Sequence, residues 1–127
     1  MNLQESGQMY LETIYVLTKN SSAVRAIDVG EHMGFSKPSV SRALGLLKKG
    51  GFVEVDGNGF LSLTSAGKEV AEKIYERHTL FTRLLVAFGV DEAVAVKDAC
   101  RMEHAISDAS FKKWVAYIEK LDLIDED

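Results

Sequence analysis

Apolar residues recur at helical spacing along most of the chain. Leu11, Ile14, Tyr15 and Leu17 predict a helix over Met9 to Leu17, ended by Lys19-Asn20-Ser21-Ser22. Ala26 to Met33 predicts a short helix stopped at Gly34, a residue without the left-handed penalty. Phe35 starts a turn, and Ser36 stands where a cap is needed. Pro38 fits the first turn of a second helix, whose inner face is Val40, Ala43, Leu44 and Leu47. With Gly30 offering a close crossing point, this is the pattern of a helix-turn-helix. The period then changes. Phe52 to Val55 and Phe60 to Leu63 flank Asp56-Gly57-Asn58-Gly59, predicting two short strands around a tight turn.

Helical spacing returns and persists. Thr64 or Ser65 is placed to cap a long helix reaching about Phe88, with Val70, Ile74, Leu80, Phe81, Leu84, Leu85 and Phe88 on its apolar side and Gly89 ending it. Val90-Asp91 leads into a helix expected to hold Cys100, Glu103 and His104 and to end at Ser107 or Asp108. A last helix carries Phe111, Trp114, Val115, Ile118 and Leu121. That stripe is wide for so short a chain, and symmetric DNA half-sites would require a twin to cover part of it. The expected fold is mainly α: a winged helix-turn-helix DNA-binding domain over 1–64, then a helical dimerisation and metal-binding domain over 65–127.

Composition narrows the class. The chain has 127 residues, is 46% hydrophobic and carries a net charge of −4, enough for a real core and against wholesale nucleic-acid affinity. Charge is uneven, however. Val24 to Gly51 holds five bases (Arg25, Lys37, Arg42, Lys48, Lys49) against two acids (Asp28, Glu31), whereas Glu119 to Asp127 holds five acids and one base. No apolar run suits a membrane span, and Met1 to Glu5 does not read as a signal peptide, so a cytoplasmic protein is expected. The single cysteine cannot form an internal disulfide.

Two sets of side chains carry chemistry. Ser36, Lys37, Pro38, Ser39 and Arg42 form the N-terminal part of the second short helix, where hydroxyls and bases suit a major groove. The alternative is a solvated basic helix. Asp56 stands where a basic wing tip would be expected, so wing contacts to DNA should be weak. In the second set, Cys100, Glu103 and His104 stand at i, i+3 and i+4 of an expected helix and project from one face. Sulfur, oxygen and nitrogen donors together suit a first-row divalent ion better than calcium or magnesium. The plainer reading is an amphipathic helix with a buried Cys and an exposed Glu and His. Met9 and Glu12 share one side of the first helix, although a Met there is more often packing; His78, beside Arg77, is more often surface.

The order of these features resembles the diphtheria toxin repressor and manganese transport regulator family of metal-dependent transcriptional repressors. The resemblance spans nearly the whole chain. It rests on Met9 to Tyr15, Ser36 to Ser41, Leu63 to Gly67, Arg77-His78 and, most specifically, Ala99 to His104 followed by Ser107-Asp108. It implies Met9, Cys100, Glu103 and His104 as the main metal ligands, with Glu12 and His78 as further ligands in the manganese branch. The ancillary site of the iron branch would fall at His78, Thr82 and Val96, where two of three ligands are missing. Sulfur donors at Met9 and Cys100 point to iron(II), with manganese(II) as the other candidate. The chain also ends before the SH3-like domain of longer relatives, as a short two-domain member would.

These readings imply a homodimer on a palindromic double-stranded operator. Metal would join the first helix to the fifth, setting two recognition helices about one DNA turn, ~34 Å, apart. Cys100 must bind as a thiolate and His104 as a neutral ring, so affinity should fall at acid pH. No organic cofactor or membrane partner is expected. One competing class is a winged-helix regulator sensing an organic ligand, for which the donors are incidental. Another is an enzyme using Cys100 and His104, which lacks an evident oxyanion donor or orienting third group.

Overall fold

The structure is a computed structural model and describes residues 5–121. The expected N-terminal residues before Glu5 and the acid-rich end beyond Leu121 lie outside the described residues. In chain order the elements are α1 (Glu5–Asn20), α2 (Ala26–Met33), α3 (Lys37–Lys49), β1 (Val53–Val55), β2 (Leu61–Leu63), α4 (Ser65–Ala87), α5 (Glu92–Met102) and α6 (Asp108–Leu121). Two compact units divide after Lys73, inside α4.

The first unit is built on the expected helix-turn-helix. Gly34 adopts φ 72° and its N–H donates to Gly30 O, turning the chain out of α2. The Ser36 hydroxyl accepts from Ser39 N at 3.4 Å and donates to Ser39 Oγ at 3.0 Å, fixing the start of α3. Val40, Leu44 and Leu47 of α3 are buried with Leu11, Ile14, Val29, Phe52 and Val53 in one core. A Cβ on Gly30 would sit 3.3 Å from Val40 Cγ2, so α2 and α3 do cross tightly there. Tyr10, outside the apolar set expected for α1, is also buried and packs its ring 5.9 Å from that of Phe35. Burial raises its hydroxyl above the ordinary tyrosine range.

β1 and β2 pair antiparallel, with Val53 opposite Leu63 and Val55 opposite Leu61. Leu61 N also donates to Val24 O at 2.7 Å, anchoring the hairpin to the segment before α2. Asp56 is an architectural residue: its Oδ1 accepts from Asn58 N at 2.8 Å and Phe60 N at 2.9 Å. That explains an acid at the wing tip. A two-stranded wing following a helix-turn-helix makes this unit a winged helix domain.

The wing is tied to the start of α4 through Leu63-Thr64-Ser65-Ala66-Gly67. Thr64 is the cap: its hydroxyl donates to Gly51 O at 2.6 Å and accepts from Gly67 N at 3.1 Å. Gly67 leaves no room for a side chain, since a Cβ there would lie 2.1 Å from Phe52 O. Ala71 belongs to the same core, so the first turns of α4 are part of this unit.

The second unit packs later α4, α5 and α6 around Phe81, Ala99 and Phe111, with Leu80, Met102, Ile106 and Val115 against them. The Phe81 ring meets Phe111 and Trp114 edge-on, at 5.8 and 5.5 Å. Two expectations change here. Phe88, assigned to the apolar side of α4, lies just past its end and is 66% exposed. The helix expected to carry Cys100, Glu103 and His104 ends at Met102. Glu103 keeps helical dihedrals (φ −61°, ψ −24°) as its C-cap, and His104 falls in the following turn. The end is capped from another element: the Glu103 carbonyl accepts from the Arg77 guanidinium, which also donates to Ile106 O in the turn. Ser107 caps α6, its hydroxyl accepting from Ser110 N at 3.2 Å. No helix among the described residues is long and apolar enough to cross a membrane.

Candidate metal centre and nucleic-acid interface

The candidate nucleic-acid face is the N-terminal half of α3. Ser36, Lys37, Pro38, Ser39 and Arg42 are all exposed there, beside the buried Val40 and Leu44 that root the helix. Ser36 spends its hydroxyl on the cap, so Ser39 Oγ, which accepts from it, keeps its own proton for an outside acceptor. Arg25, which the sequence reading counted only as charge, lies before α2 with its guanidinium 4.7 Å from the Phe60 ring centroid at the wing.

Of the candidate metal donors of the second unit, His78 and His104 meet at Glu103. Its side chain is 0% exposed. Oε2 lies 2.9 Å from His78 Nδ1, and Oε1 lies 3.3 Å from His104 Nε2. Oε1 has no hydrogen bond among the described residues. Cys100 lies one helical turn before Glu103, near the end of α5, and is half-buried. In the first unit, Met9 and Glu12 lie one turn apart on α1 and both are half-buried.

The donor set fits a divalent cation. A carboxylate removed from water with one oxygen lacking a hydrogen bond is costly, and a bound cation would relieve that cost. Thiolate, carboxylate and imidazole are the groups that first-row divalent ions take. His78 is placed to orient Glu103: with Nδ1 as donor it fixes the carboxylate, as outer hydrogen bonds do in metal sites. Thr82, at the ancillary position, has committed its hydroxyl to His78 O at 2.8 Å. Val96, the other departure there, is 39% exposed.

Arg77 is the residue that sequence reasoning missed. The sequence assigned it no role beyond the neighbour of His78, yet it is one of two buried charged residues among those described, the other being Glu103. The only hint was its place in the apolar register of α4, three residues after Ile74 and four before Phe81.

Known proteins similar to the chain cover both of its units. An uncharacterised HTH-type transcriptional regulator of Methanocaldococcus jannaschii is 30% identical over 120 residues, covering 93% of this chain and 96% of that protein. The iron-dependent repressor IdeR of Mycobacterium leprae is 32% identical over 108 residues, which is 84% of this chain but 47% of the relative. The chain thus spans about half the length of IdeR and nearly all of the archaeal protein. A solved manganese-dependent transcriptional repressor in complex with manganese superposes with a TM-score of 0.81 at 26% identity, covering 89% of this chain and 52% of that one. Residues 2–60 match the iron-dependent repressor N-terminal DNA-binding domain and residues 64–123 the metal-binding and dimerisation domain of the same family. The chain belongs to the iron-dependent repressor family.

Proposed function

We propose that the protein is a divalent-metal-dependent transcriptional repressor that binds palindromic operator DNA as a homodimer and controls metal homeostasis genes in the cytoplasm. The observation carrying the metal part is Glu103, fully buried, with His78 at one oxygen and His104 beside the other. Cys100, Glu103 and His104 would hold the metal, with His78 orienting Glu103 or joining it as a ligand, and Met9 and Glu12 of α1 stand as further candidate donors. A bound divalent ion supplies positive charge that the buried carboxylate and the thiolate share. Iron(II) is the expected metal because two of the donors are sulfur; manganese(II) is the alternative.

The DNA part rests on α3. Ser36 holds its first turn in shape, and Ser39, Lys37 and Arg42 face outward from it. The second copy would cover apolar residues of the second unit that are exposed in the single chain, notably Trp114, Tyr117 and Leu121 on α6. The role is regulatory, and no catalytic step is assigned to Cys100 or His104.

The test is a fluorescence-anisotropy titration, anaerobic and reducing, on a palindromic duplex selected from a random pool. Affinity is expected to rise at least tenfold with iron(II) or manganese(II), corresponding to ~1.4 kcal/mol of coupling. Cys100→Ala should lose the iron(II) response and Arg42→Ala should weaken binding with or without metal. Equal affinity with and without either metal sinks the reading and favours a regulator of organic ligands.

A further inference from the structure

We infer that Arg77 is a positioning residue for the metal donors, holding in place the turn that carries Glu103 and His104. The inference rests on the metal reading of that site. Arg77 projects from α4 with its side chain 8% exposed. Its Nη1 donates to Glu103 O at 3.2 Å and to Ile106 O at 2.6 Å. Its Nη2 pairs with the Asp108 carboxylate, and its guanidinium lies 5.2 Å from the Phe111 ring centroid.

One planar group therefore fixes the end of α5, the turn and the start of α6. One of the carbonyls it takes, Glu103 O, is of the kind a helix C-terminus leaves without a partner, and the other, Ile106 O, lies in the turn before α6. Because Glu103 and His104 lie within the clamped stretch, their side chains inherit its geometry. His78, the next residue along α4, grips the Glu103 carboxylate while Arg77 grips its backbone, so adjacent positions on one helix hold both ends of the same residue. A lysine would keep the charge but could not supply the fork.

The test is a cobalt(II) titration of the full chain, following d–d and thiolate charge-transfer absorbance, with wild type beside Arg77→Lys. For the variant, unchanged apo far-UV circular dichroism and Trp114 emission are expected, with the cobalt(II) Kd raised ~10- to 100-fold and the d–d bands displaced. An apo-folded variant with wild-type Kd and bands overturns the inference. If Arg77→Lys does not fold, Asp108→Ala, which removes the acceptor of Nη2, decides. Asp108 is 59% exposed on its side chain, so that change should keep the fold and raise the Kd several-fold with the same band displacement; a wild-type Kd and spectrum there overturn the inference. Failure of the wild type to bind cobalt(II) at all removes the metal reading itself, an outcome distinct from wild-type binding that the variants leave untouched.

Discussion

Glycine substitutions show how sharply a single position can be constrained. At Gly67 an added methyl would sit 2.1 Å from Phe52 O, a backbone atom that cannot give way without moving β1. Gly67→Ala is expected to lose about 2 kcal/mol or more in urea denaturation. At Gly45, inside α3, nothing lies within 4 Å of an added Cβ, so Gly45→Ala should gain about 0.5–1 kcal/mol in the same assay. Glu103 offers a different contrast. Glu103→Gln keeps the shape and removes the charge, so the apo protein should be as stable as wild type or more so. Metal affinity should drop more than ~100-fold by calorimetry, since a ligand is lost and not merely an outer contact. A variant that binds metal as wild type does would exclude Glu103 as a ligand.

Among the elements, α2 and α3 were legible because each is punctuated locally: Gly34 stops one, and Ser36 with Pro38 starts the other. Ser36→Ala should therefore cost about 0.5–1 kcal/mol of thermal or urea stability without DNA present, and no loss would show that the cap is dispensable. The wing was legible too, except for Asp56. Its acid made sense only once the two N–H groups it accepts from were in view. The end of α5 was not legible, because the group that caps it comes from another element, 26 to 29 residues earlier in the chain. Local periodicity carries no information about such a contact. It also hid Arg77, whose charge reads as surface until its acceptors are known.

Across the whole molecule, sequence pattern divided the chain into a base-rich part and a part with candidate metal donors because residue chemistry is segregated along it. Val24 to Gly51 carries the base excess, and Cys100, Glu103 and His104 fall in the latter part. How firmly the donors are held was not readable, since it depends on burial of Glu103 and on two side chains of α4. The segregation also governs behaviour in salt. With an acidic wing tip, few phosphates should be neutralised per copy and few counterions should leave the duplex on binding. The slope of log K against log salt should be shallow, ~−0.9 for each phosphate contacted from the helix-turn-helix region alone. Asp56→Asn preserves the acceptor oxygen that the turn needs while removing the charge. It should tighten DNA binding several-fold at low salt and hardly at all at high salt, measured by anisotropy across an ionic-strength series. A residue that folds the wing thereby shifts discrimination away from general attraction to DNA and toward the bases that α3 can reach.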